Sequence, residues 1–150
     1  MGKTSGLLIR SAYVAALGGF LFGFDTAVIS GAEKSIQELW NLSGFWHGFT
    51  VANALIGTVI GALTAGKPAD RLGRRNTLLI VAALYLISAL GSALSHQWIP
   101  FMLYRFLGGI GVGASSVVGP MYIAEISPAE KRGKLVAMFL LNVVIGILSA

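Results

Sequence analysis

The chain has 150 residues, 55% hydrophobic and 11% charged, where an ordinary soluble domain carries about 25% charged residues. A soluble fold of this size buries only about 70% of its chain surface, so a mean hydropathy of +0.78 excludes a soluble globular domain and a disordered tail alike. With no Cys there is no disulfide or thiolate-metal scaffold. What remains is an integral membrane protein, in which the placement of the positive residues must explain the net charge of +5.

Charge-free runs set the expected elements in chain order. A helix needs about 20 apolar residues to cross the hydrocarbon core. The first span is expected over 11–30, interrupted only by Asp25. It is too long for a cleaved signal core and contains an acid. Further spans follow over 48–66, 77–95, 98–122 (with Arg105 inside) and 135–150, the last cut by the end of the sequence. The runs are too long for barrel strands, which need about 10 residues of alternating polarity. Hence the expected class is an all-α membrane protein.

Nine of the eleven Lys and Arg fall in alternate connections. Lys3 and Arg10 precede span one; Lys67, Arg71, Arg74 and Arg75 follow span two; Lys131, Arg132 and Lys134 follow span four. Placing the N-terminus in the cytoplasm makes every basic group cytoplasmic, as the positive-inside rule requires. This explains the positive charge without nucleic acid, for which no interleaved aromatic stacking pattern is present. Trp40, Trp46 and Trp98 fall at the opposite, outer interface, where an aromatic belt is expected. Asn41-Leu42-Ser43 in the outer loop has the form of a glycosylation acceptor, a pattern common by chance.

Asp25 and Arg105 carry the strongest chemical signal, because an intramembrane charge costs about 3 kcal/mol or more unless paired, hydrated or functional. Span one runs outward to Ser30 and span four runs inward from Trp98. At 1.5 Å per residue the two charges lie roughly 8 and 11 Å below the outer surface, in one layer. One reading is a titratable switch, paired when Asp25 is ionised and released when it is protonated. The other is a permanent ion pair that fixes helix packing. Phe22 shares the Asp25 face at i−3, either as a substrate contact or in packing.

Span four also contains Gly108, Gly109, Gly111, Gly113 and Gly119. Gly109-Ile110-Gly111-Val112-Gly113-Ala114 has the letters of a dinucleotide fingerprint, but no strand precedes it. Close helix packing is the better reading, with Gly57 and Gly61 forming a matching face on span two. His47 and His96 stand isolated in outer loops, and no catalytic or metal-binding set can be assembled.

The connection after span two reads as a tight turn, Gly66-Lys67-Pro68-Ala69-Asp70-Arg71-Leu72-Gly73-Arg74-Arg75. This resembles the signature of the major facilitator superfamily. Two more segments narrow the resemblance to its sugar porter family: Phe22-Gly23-Phe24-Asp25-Thr26 through Gly31, and Pro120-Met121-Tyr122 through Glu125, Pro128, Arg132 and Gly133. The resemblance runs from about Tyr13 to Ala150.

The resemblance implies alternating-access transport by twelve helices in two halves, of which 1–150 is an incomplete N-terminal half. It implies that Asp25 accepts the coupling proton with Arg105 as its partner, and that Gly66, Asp70, Arg71, Gly73, Arg74, Arg75, Glu125 and Arg132 form a cytoplasmic gate. Many sugar porters carry a sugar-binding glutamine on helix five. Here Leu140 takes that place, with Asn142 about 200° around the helix, so typical hexose or pentose binding is not expected at this position. The implied partners are a sugar-like solute, a proton, the lipid bilayer of the cell membrane and the C-terminal half of the transporter. No cofactor and no enzymatic activity are implied. The rival readings are a proton-independent facilitator and a truncated, non-transporting relative.

Overall fold

The computed structural model describes the backbone of Gly2–Ala150 and the side chains of Gly6, Tyr13 and the residues from Ala16 on. The expected basic pair Lys3 and Arg10 lies outside the described side chains. The chain is helical throughout: α1 (Gly2–Leu39), α2 (Gly44–Thr64), α3 (Gly66–Leu72), α4 (Arg74–Leu94), α5 (Trp98–Ile126) and α6 (Ala129–Ser149). Among the described residues α2, α4, α5 and α6 are each long and apolar enough to cross a membrane, which makes this a multi-pass membrane protein.

The helices run past the apolar runs of the sequence. α1 continues through Glu33, Lys34 and Glu38, α5 reaches Ile126, and α6 begins at Ala129 rather than Leu135. Lys131, Arg132 and Lys134 lie in its first turns, where Lys and Arg are good helix formers. The connection expected as a tight turn is instead the helix α3 followed by a break at Gly73. Gly73 has φ +83°, a conformation that L side chains rarely adopt.

α5 is the central element, packed against α1, α2, α4 and α6, while α1 lies along α6. Small residues set these contacts. A Cβ on Gly57 would come within 2.6 Å of the Phe106 carbonyl oxygen, and Cβ atoms on Gly61, Gly109 and Gly113 would collide with the carbonyls of Ile110, Ala54 and Thr58. Of the fingerprint-like glycines, Gly109 and Gly113 are thus covered by the α2 backbone and Gly111 by α4, with no space for a nucleotide. On α1, a Cβ on Gly19 would lie 2.6 Å from the Phe139 carbonyl oxygen, and Gly23 and Gly146 allow the same approach to Val143 and Phe20.

Polar side chains bind the same interfaces, as expected where lipid supplies no hydrophobic drive between helices. Asn53 Nδ2 donates to the Met102 carbonyl at 2.7 Å. Ser88 Oγ donates to the Tyr104 carbonyl at 2.6 Å, and Trp98 Nε1 to Thr50 Oγ1 at 2.9 Å. Buried Ala65, Ala69, Val81, Ala114 and Val118 form one apolar core, and Ile123 with Phe139 forms a second.

Gly113→Leu must push α2 off α5 and is expected to destabilise the full-length protein by about 2 kcal/mol, measured as a lower melting temperature in detergent. Gly31→Ala, which meets open space, is expected to leave that temperature unchanged or slightly raised.

Candidate functional site

α1 and α5 place Asp25 and Arg105 against each other. Arg105 Nη1 donates to Asp25 Oδ1 at 2.7 Å. The guanidinium side chain is 12% exposed and the carboxylate 39%. A short charge-assisted bond of this kind is strong, and removing Asp25 would leave the Arg105 charge largely buried and uncompensated. α1 packs backbone-to-backbone on α6 at Gly19 and Gly23, and it meets α5 near Gly18, whose Cβ would lie 3.7 Å from the Ser115 side chain. The hydroxyls beside it are satisfied on α1 itself: Thr26 Oγ1 donates to the Phe22 carbonyl at 2.9 Å and Ser30 Oγ to the Thr26 carbonyl at 3.0 Å.

Phe22 is half-buried one turn from Asp25. Leu140 is exposed on α6. Asn142 is half-buried, with its Nδ2 donating to the Met138 carbonyl of its own helix at 2.8 Å. Among the described residues no hydrogen bond joins Asn142 to the Asp25–Arg105 pair.

A second charged cluster lies at the opposite end of the bundle, where Arg74 opens α4 immediately after the Gly73 break. Its Nη2 is 3.1 Å from Asp70 Oδ1 of α3 and its Nε 2.9 Å from Glu125 Oε1 of α5. Nη1 also donates to the Ala69 carbonyl at 3.2 Å. One arginine therefore joins three helices. Arg71, Arg75 and Arg132 are exposed and, among the described residues, make no ion pair. A Cβ on Gly66 would meet open space, so packing does not account for glycine there, whereas the φ of Gly73 does at its position.

The tryptophan end holds a contact that sequence reasoning missed. His47 is not isolated in a loop: it lies in the first turn of α2, with Nε2 2.8 Å from Glu33 Oε1 of α1. Trp46 packs edge-on to Trp98 at 5.3 Å, and Trp40 against Phe101 at 5.0 Å.

Residues 11–150 match the family described as Sugar (and other) transporter. The glucose transport protein of Synechocystis sp. is 50% identical over 137 residues, covering 91% of this chain and 29% of that protein. The D-xylose-proton symporter of Escherichia coli K12 is 43% identical over 159 residues, covering 89% of this chain and 32% of that protein. The structure of a major facilitator superfamily proton:xylose symporter bound to 6-bromo-6-deoxy-D-glucose superposes with a TM-score of 0.88 at 41% identity, over 97% of this chain and 36% of that one. The chain thus spans about a third of the length of the curated relatives it matches. It has the major facilitator superfamily fold and belongs to the sugar transporter family.

Proposed function

We propose that this chain is part of a transporter that moves a sugar-like solute together with a proton by alternating access. The observation that carries the reading is the Asp25–Arg105 pair, an acid and a base of α1 and α5 held in contact at 2.7 Å. Protonation of Asp25 neutralises the acceptor and frees Arg105, so the pair converts proton binding into a change in what holds α1 to α5. The names of related proteins, including the D-xylose-proton symporter, support the choice of solute and coupling ion.

The orientation we propose puts the basic end, with Lys67, Arg71, Arg74, Arg75, Lys131, Arg132 and Lys134, in the cytoplasm and the tryptophan end outside, in accord with the positive-inside rule. Arg74 with Asp70 and Glu125 then serves as a cytoplasmic latch. Each contact is partly exposed and weak alone, about 0–1 kcal/mol, which suits a contact that must open in every cycle. Gly66, Arg71, Arg75 and Arg132 belong to the same surface, and Phe22, Leu140 and Asn142 to the solute pathway.

In the full-length protein reconstituted in vesicles, Asp25→Asn is expected to abolish solute accumulation driven by a pH gradient while solute exchange persists. Uphill uptake by that variant would identify a facilitator with a structural ion pair. Arg74→Ala removes both latch pairs. It is expected to shift the balance of cytoplasm-closed and cytoplasm-open conformers by about fivefold, roughly 1 kcal/mol, as read from spin-label distances across the cytoplasmic ends of the full-length protein.

A further inference from the structure

Arg105 cannot lose its charge, and its side chain is only 12% exposed. When a proton neutralises Asp25, this cation stays behind, and a buried cation without an anion is costly. A second anion lies within the same region. Arg105 forms one wall of a small cavity of about 10 Å³ at the tryptophan end, whose other polar walls are Glu33 of α1 and His47 and Thr50 of α2. That is close to the space one water needs. Helical side chains lean toward the N-terminus of their helix, and α5 begins at Trp98, which directs Arg105 toward this end. Among the walls, Thr50 is already satisfied: its Oγ1 donates to the Trp46 carbonyl at 2.7 Å and accepts from Trp98 Nε1 at 2.9 Å. His47 Nε2 lies 2.8 Å from Glu33 Oε1. An ionised carboxylate only accepts, so neutral His47 carries its proton on Nε2 and its buried Nδ1 is a neutral acceptor. Glu33 Oε2 makes no hydrogen bond among the described residues, and a guanidinium bonds a carboxylate more strongly than a neutral nitrogen. Tyr85 of α4 is the other titratable group in electrostatic reach of Asp25; a phenol is uncharged near neutral pH and supplies no anion.

We propose that Glu33 is the alternate partner of Arg105, a positioning residue that receives the guanidinium when Asp25 takes the proton; this deepens the proton-coupled reading above and rests on it. With Asp25 ionised, Arg105 holds Asp25 and Glu33 holds His47. With Asp25 protonated, Arg105 turns across the cavity to the free oxygen of Glu33, while the other oxygen keeps His47. The buried cation then has a carboxylate in both states. Asp25 goes from −1 to neutral, and no other group changes charge. Glu33 follows Asp25 by eight residues on α1, roughly 12 Å along the helix. The exchange of partners therefore moves the tie between α1 and α5 toward the tryptophan end. Proton binding is felt there, at the outer end in the orientation proposed above.

The test uses the full-length protein, with Asp25→Asn standing for the protonated state. A structure of that variant is expected to place the Arg105 guanidinium within about 4 Å of the Glu33 carboxylate. A guanidinium left against position 25, or turned away from Glu33, overturns the proposal. Solute exchange in vesicles measures the energetic link. Adding Glu33→Gln to Asp25→Asn is expected to slow exchange about tenfold more than adding it to wild type at alkaline pH, because only the double variant leaves Arg105 with neither carboxylate. Equal effects in the two backgrounds overturn the proposal. Glu33→Gln alone is expected to move the external-pH profile of driven uptake about one unit to lower pH, because protonating Asp25 then strands the arginine. An unmoved profile, with Asp25→Asn inactive in driven uptake, overturns the exchange of partners and leaves the coupling role of Asp25 standing. Driven uptake by Asp25→Asn overturns the coupling reading itself. If the double variant does not reach the membrane, the structure of Asp25→Asn decides.

Discussion

Lipid tails are as apolar as the side chains they touch, so burial alone does not draw these helices together. The fold depends instead on how closely backbones can approach, and that is set by where a Cβ is missing. α5 meets α2 through Gly109 and Gly113 facing Gly57 and Gly61, and α1 meets α6 through Gly19, Gly23 and Gly146. These contacts are steric, short-ranged and intolerant of added atoms. Across the third seam, between α1 and α5, the Asp25–Arg105 bond adds a polar tie to this steric framework.

The same helix connects the two charged sites. Arg105 and Glu125 are both on α5, 20 residues apart, which at 1.5 Å per residue is roughly 30 Å. One holds Asp25 of α1; the other holds Arg74 of α4, itself tied to α3. A shift of α5 against its neighbours would strain both contacts, so a rigid element with two discrete arrangements can carry coupling between them. Pro120 sits between the two sites on α5. It removes one backbone hydrogen bond of the helix and marks the place where bending costs least.

Much of this was legible in the residues and some was not, for physical reasons. Gaps between charges pointed to long helices, because a charge in hydrocarbon is expensive. They did not locate the helix ends, because α1 past Ser30 and α6 before Leu135 are polar, yet remain helical. The Asp25–Arg105 contact was readable from depth alone, since opposite charges in one apolar layer have few other partners. The Glu33–His47 contact was not, because it lies at the helix ends, where water offers both groups alternatives and only the rotation of α1 and α2 settles the pairing. Gly73 was readable as part of a motif; its positive φ supplies the physical reason, which Gly66 lacks.

The solute side follows a different logic. A sugar hydroxyl leaving water must find a donor or acceptor, or its transfer is costly. Leu140 offers neither, and the Nδ2 of Asn142 is engaged by the Met138 carbonyl. Asn142 retains its side-chain oxygen as an acceptor. On this reading these helices contribute a proton site and a largely apolar wall. Most hydrogen bonds that tell one sugar from another must then come from residues outside this chain. Coupling and selectivity would thus reside on different parts of the transporter, and the coupling part can stay constant while the solute changes.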